Sequence, residues 1–363
     1  MTRDIHALLG GAYVCHLCFM LVIASCLVGC GLPLELAAGS LDDARVVDGP
    51  AWVSRFDQPI AMASDSKGNL YITEASGRIR KLSPDQQVST FAGNGSKPQK
   101  EAPKGTKRKL NEALQPQNIF IRDDVLYFTE LECVNTIDLK VPESEREVST
   151  IWGTCMPYDT PRHELASDPE ITIYHPHKLV VTKDHQFIYA VMQLDLAGRF
   201  IYRVNISSSE LQEVAGISQG FSDFEGLVID SEDNVYFTSP PPIPGPPPVF
   251  GSSLPMEPTL FKLGGAQVMT SERMVISDLN GYISSLSVGF DDGLYMINVS
   301  DKKLKKINLK NKKTKDISDL RHDFPAKNSR YYGYSIWMND ATQELFILID
   351  NALYKWAIHS SLN

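Results

Sequence analysis

The chain has 363 residues, 43% of them apolar, and a formal charge of −9. That composition excludes a disordered chain, and so acidic a balance argues against a general nucleic-acid binder. The length suits one large all-β domain or two ordinary domains.

Residues 7–30 carry no charge apart from His16; Arg3 precedes them, and Glu35, Asp42 and Asp43 follow. Such a run is expected to be a signal peptide or a single membrane anchor. Arg3 favours an N-terminus inside and the rest outside. Leu27-Val28-Gly29-Cys30 also looks like a lipoprotein processing box. Four of the six cysteines lie in this segment, which leaves Cys133 and Cys155. Two cysteines in an exported domain predict one disulfide. The expected organisation is a leader at 1–30, a short linker at 31–43 and a folded domain at 44–360. That domain is placed outside the cytoplasm, secreted or membrane-anchored, and the N-terminal segment is its only expected link to a membrane.

After the leader the chain repeats itself. An apolar residue followed by an aromatic recurs at Leu70-Tyr71, Leu126-Tyr127, Ile188-Tyr189, Val235-Tyr236, Leu294-Tyr295 and Leu345-Phe346. Each pair sits in a nearly continuous apolar run, the pattern of a strand buried on both faces. The first unit, 59–95, shows the whole plan: four apolar runs separated by turns at Lys67-Gly68-Asn69, Ser76-Gly77 and Ser83-Pro84-Asp85. Inner strands precede the later pairs at 118–121, 178–181 and 226–229, and third strands follow at 78–82, 200–204, 259–263 and 303–307. Six four-stranded antiparallel sheets buried on both faces predict a six-bladed β-propeller. The last unit lacks a fourth strand, and 44–48 (Ala-Arg-Val-Val-Asp) is expected to supply it by pairing with 353–358.

The units resemble NHL repeats: a proline, an apolar strand, Asp and Gly-Asn before an apolar-Tyr strand, then Arg-Ile-Arg-Lys and Ser-Thr-x-x-Gly. Asp65 to Tyr71 and Asp230 to Tyr236 carry that core most closely. The related SMP-30/gluconolactonase propellers share the architecture. The resemblance implies an exported NHL-type binding platform with no cofactor. The alternative it implies is a metal-dependent lactonase or esterase, with Glu225 at the channel mouth and a divalent cation such as calcium.

Long segments at 96–116, 156–176, 239–258 and 319–332 all fall on one face of such a propeller, which marks it as the binding face. By alignment, the channel mouth on that face is ringed by Ile60, Gln117, His177, Glu225, Ser284 and Tyr334. Gln117, His177, Glu225 and Tyr334 are the candidate ligand residues, for an unknown protein or a small polar ligand; nucleic acid is not an expected partner. His177 stands where the hydrolases carry an Asn, and Ile60 offers no donor, so the metal-hydrolase pattern is broken. Lys97, Lys100, Lys104, Lys107, Arg108 and Lys109 make a basic loop, read as a solvated face. The Pro-rich 239–248 reads as a stiff rim loop. The blade-two hairpin centres near residue 144, which sets Cys133 opposite Cys155. Asn94, Asn205 and Asn298 head glycan acceptor sequences at strand ends or loops.

Overall fold

The computed structural model describes residues 34–157, 174–194, 198–216, 226–239, 259–263, 271–274, 283–298, 301–320 and 335–357. The leader, Glu225, Tyr334, the Pro-rich segment and most of 156–176 and 319–332 lie outside them. Among the described residues no helix is long and apolar enough to cross a membrane.

Six antiparallel sheets form the blades of a propeller. Blade 1 is Pro59–Ser64, Leu70–Glu74, Arg78–Leu82 and Gln87–Ala92. Blade 2 is Ile119–Arg122, Val125–Glu130, Cys133–Asp138 and Glu147–Cys155. Blade 3 is Tyr174–Val181, Phe187–Leu194, Gly198–Asn205 and Leu211–Gly216. Blade 4 is Leu227–Ile229, Val235–Ser239, Thr259–Leu263 and Ser271–Met274. Blade 5 is Ile283–Val288, Leu294–Asn298, Lys303–Asn308 and Lys313–Asp319. Blade 6 is Ser335–Asn339, Glu344–Ile349, Ala352–Ala357 and, from the other end of the chain, Glu35–Gly39. The innermost strands touch one another in turn, and blade 6 returns to blade 1, so the ring closes. The second strands are buried on both faces: every residue of Leu70–Glu74 and of Leu294–Asn298 is buried. Removing one such Leu or Ile side chain from water is worth about 1.5–3 kcal/mol, which is why the apolar-aromatic pairs dictate the fold.

The closing strand is not the expected 44–48. Glu35 pairs with Lys355, Leu36 with Tyr354, Ala38 with Leu353 and Gly39 with Ala352. The two valines of 44–48 favoured that stretch, but its groups are engaged elsewhere. Val47 forms a lone bridge with Arg55, and Asp48 receives Arg80 and the Thr90 N–H. Ala37 and Ala38 are small enough to pack beside Phe56 and Leu353 at the seam. Gly39 has φ +82°, and a Cβ there would sit 2.4 Å from the Asn351 carbonyl, so glycine is required. The strand therefore lies within 31–43, the stretch expected to be linker.

The motif turns have a common chemistry. Asp65 accepts the N–H groups of Lys67 and Asn69, the Asn69 amide at 2.6 Å and the Tyr71 hydroxyl at 3.1 Å. Asp230 does the same with Glu232, Asn234 and Tyr236. Burial and the neighbouring carboxylate push the Tyr71 and Tyr236 phenols up, so both stay neutral donors. Neighbouring turns are also clasped. Asp124 of blade 2, at φ +55°, accepts the Ser66 N–H and hydroxyl of blade 1. Asp292 of blade 5 holds Ser231 of blade 4 in the same way, and Asp233 of blade 4 caps Lys183 of blade 3. In blade 3 the equivalent left-handed residue is His185. Its Nε2 meets Asp123 of blade 2 at 3.0 Å and its Nδ1 meets the Tyr127 hydroxyl at 2.7 Å. Blade 2 has no Asp65 equivalent, so its tyrosine takes its partner from the next blade.

Cys133 and Cys155 are joined in a disulfide, with Cα atoms 4.9 Å apart. The expected direct opposition does not hold. The strand Cys133–Asp138 pairs Thr136 with Ser149, which centres the hairpin before 144; even with the bulge between Val134 and Asn135, Cys133 faces Gly153 and the bridge runs diagonally. The basic loop is not simply solvated. Ala102–Pro103 and Lys107–Lys109 add to the outer strand of blade 2. Arg108 forms a nearly buried ion pair with Glu130. The Lys104 ammonium donates to the Ile206 carbonyl at 2.8 Å and the Ser207 carbonyl at 3.0 Å on blade 3.

Candidate functional site: the axial channel

The inner strands of blades 1, 3 and 5 carry a bulge near their start. In blade 1, Pro59 pairs with Glu74 and Ala61 with Thr73, which leaves Ile60 unpaired. His177 holds the same place between Pro176 and Lys178, and so does Ser284 between Ile283 and Ser285. The bulge is where the aligned ring positions come from. A threonine on the second strand repairs the break: Thr73 Oγ1 accepts from the Ala61 N–H, Thr129 Oγ1 from Asn118 and Thr238 Oγ1 from Gly226. Thr73 also donates to the Gln117 carbonyl at 2.7 Å, and the Gln117 N–H donates to the Thr129 carbonyl. The Gln117 backbone is thus fixed at the junction of blades 1 and 2.

Gln117 and His177 are both half-buried, and Ile60 is 41% exposed. Neither Gln117 nor His177 is part of the channel wall. The channel is an axial cavity of about 450 Å³ whose lining draws on all six inner strands. Asn118 and Lys178, each one position further on, line it instead. Its middle is apolar: Met62, Phe120, Leu227, Leu286 and Trp337. Trp337 packs edge-to-face on Phe120, and its Nε1 donates to Ser64 Oγ at 2.9 Å, tying blade 6 to blades 1 and 2.

From this waist the described cavity reaches the face of the first hairpins, opposite the inserted face. The mouth there carries Arg122, Asp230, Ser231, Asp292 and Asp340. Arg122 is paired with Asp233 at 3.4 Å and lies over the Phe120 ring. Asp292 is held by Ser231. Burial, then the charges of Asp292 and Asp291, pushes the Asp340 carboxyl up to about 6. Sequence reasoning missed Asn118, Trp337 and Asp340 as channel residues. For Asp340 the signal was present: it stands six residues before Phe346, as Asp65 stands before Tyr71.

A calcium-like ion needs several converging oxygen ligands. Among the described residues, the one His/Cys/Asp/Glu group tight enough for a metal is Glu130 with Cys133 and Cys155, and those sulfurs are bonded to each other. Of the described ring positions, Gln117 offers an amide oxygen and His177 an imidazole, while Glu225 lies outside the described residues. The acceptor asparagines differ in access. Asn94 is exposed, Asn205 is half-buried and folds its carbonyl onto Ser207, and Asn298 is fully buried.

Solved structures of similar backbone share this ring. A protein of unknown function from Bacteroides thetaiotaomicron is 13% identical, with a TM-score of 0.58 over 90% of this chain and 76% of its own. A gluconolactonase from Xanthomonas campestris is 14% identical, with a TM-score of 0.54 over 90% and 95%. The neighbours include gluconolactonase-like propellers. A luciferin-regenerating enzyme is 9% identical, with a TM-score of 0.51 over 86% and 95%. At such identities the likeness extends to the fold alone. No protein-family model matches the chain, and no curated protein matches it in sequence.

Proposed function

We propose that the protein is an exported, NHL-type propeller that binds rather than catalyses, and that its ligand enters the axial channel. The observation that carries the reading is the cavity of about 450 Å³, apolar at the waist and polar at the mouth, set in a ring stapled blade to blade. A concave site of that size and lining on a rigid frame is the usual form of a small-molecule pocket. Export rests on the uncharged run 7–30 and agrees with the Cys133–Cys155 bridge. The basic loop is discounted as a docking site for an acidic partner, because Arg108 and Lys104 already serve the fold.

A thermal-shift screen of small molecules against the full chain tests this, followed by calorimetry on Val228→Trp, placed to fill the channel, and Lys107→Ala on the loop. Hits should be lost in Val228→Trp and unchanged in Lys107→Ala. Ligands that bind a folded Val228→Trp as they bind the wild type would move the function off the channel. Stoichiometric calcium in the purified protein, with lactone hydrolysis abolished by Glu225→Gln, would instead establish the lactonase alternative.

A further inference from the structure

Among the described residues, the channel mouth holds one acid without a partner. In blades 1 and 4 the repeat's Asp is consumed by its own turn: Asp65 by Asn69 and Tyr71, Asp230 by Asn234 and Tyr236. Asp340 is the same residue of the repeat in blade 6. There the donors are gone, because position 344 is Glu and position 346 is Phe. Among the described residues Asp340 makes no hydrogen bond or ion pair, yet it lines the cavity. Asp340 is exposed at the rim, so water still reaches it; what disfavours its charge is the cavity wall on one side and the Asp292 and Asp291 carboxylates, and a positive charge there would offset both.

The cations in the lining are already occupied. Arg122 belongs to Asp233 and to the Phe120 ring, and Lys178 has partners of its own. An inorganic ion is poorly served too. Asp230 and Asp292 spend their oxygens on turn donors and on Ser231, which leaves Asp340 alone. Beyond Asp340 the wall turns apolar and aromatic at Trp337 and Phe120. Aromatic faces near a desolvated cation attract it as well as its apolar body.

We propose that the channel takes a compact organic cation, an alkyl- or arylalkyl-ammonium, with its charge at Asp340 and its apolar body against Trp337 and Phe120. The inference rests on the channel being the binding site.

Protonation supplies a second signature. The charges acting on Asp340 are those of Asp292 and Asp291 on the blade 5 turn, and Lys306 is already tied to Asp291. With the Asp340 carboxyl titrating at about 6, a bound cation favours the ionised form. Affinity should therefore fall roughly tenfold from pH 7 to pH 5, as the proton competes for the carboxylate.

The test is calorimetry on the full chain with 2-phenylethylamine, its neutral analogue 2-phenylethanol, and calcium chloride. The variants are Asp340→Asn and Asp340→Glu. The amine should bind the wild type at least tenfold more tightly than the alcohol, and more weakly at pH 5. Asp340→Asn should erase the difference and Asp340→Glu should keep it. Both variants should melt no lower than the wild type, because Asp340 supports no other group. Equal binding of amine and alcohol would overturn the cation and leave the channel reading intact. Calcium binding at Asp340 without amine binding would make the site inorganic and overturn the inference. Failure of both organic probes would count against the channel and the cation together.

Discussion

Arg80 is the residue whose loss should cost the fold most. It is fully buried, and so is Glu74, with which it pairs at 2.9 Å. Its guanidinium also donates to the Arg55 carbonyl at 2.9 Å and the Val47 carbonyl at 3.1 Å, reaches Asp48, and lies over the Phe56 ring. One side chain thus holds the segment 47–56 against blade 1. Replacing it with Met keeps the volume and removes the charge. Glu74 would then retain only the Asp57 N–H and the Ser76 hydroxyl, in a place where burial already raises its carboxyl. Breaking a buried pair from one side costs about 3–5 kcal/mol. Urea titration of Arg80→Met should show that loss as a lower midpoint. Arg80→Lys should recover little of it, since an ammonium cannot fork to carbonyls and carboxylates together. The double variant Arg80→Met/Glu74→Met should be more stable than Arg80→Met alone, because no orphaned carboxyl remains. A loss under about 1 kcal/mol for Arg80→Met, or strict additivity in the cycle, would refute the account.

Three further outcomes follow from the same packing. Replacing Cys133 and Cys155 by Ser should cost roughly 3 kcal/mol, from loop closure over a separation of 22 residues, read by urea midpoint. His185→Ala and Tyr127→Phe should each cost about 1 kcal/mol and couple in a double-mutant cycle, since the Tyr127–His185 contact is shared between blades 2 and 3. Deleting 34–39 should lower the melting temperature far more than deleting 360–363, because it bares the edge of Ala352–Ala357. Equal melting temperatures for the two truncations would contradict the seam.

The propeller was legible because Leu70-Tyr71 and its five echoes must be buried on both faces, and only stacked sheets do that. The motif Asp65 to Tyr71 was legible as a turn because each polar residue in it has a partner within the turn itself. The closing strand was not. Glu-Leu-Ala-Ala-Gly has little β-propensity, and its partners are at the far end of the chain, so nothing local marks it. The channel wall was missed by one position. Alignment finds the bulge residues Ile60 and His177, but a bulge re-aims its neighbours, and the wall falls to Ala61 and Lys178. The disulfide partners were right while their register was wrong, because the strand Cys133–Asp138 stops earlier than its polar continuation suggests and centres the hairpin before 144.

The seam also sets a clock. Glu35 meets Lys355, so the first of the described strands to be made waits for the last. At roughly 5–20 residues per second, the intervening chain of about 320 residues takes on the order of tens of seconds to synthesise. Blades 1 to 5 draw all their strands from consecutive stretches and are able to form as they emerge. Blade 6 is not, and until its partner arrives Glu35–Gly39 is an unpaired edge beside a growing stack of sheets. The charge of Glu35 at its start and the glycine at its end make it a poor template for a wrong partner during that interval. Ring closure therefore waits on the synthesis of 352–357, and a chain truncated anywhere before that strand would leave Glu35–Gly39 unmatched.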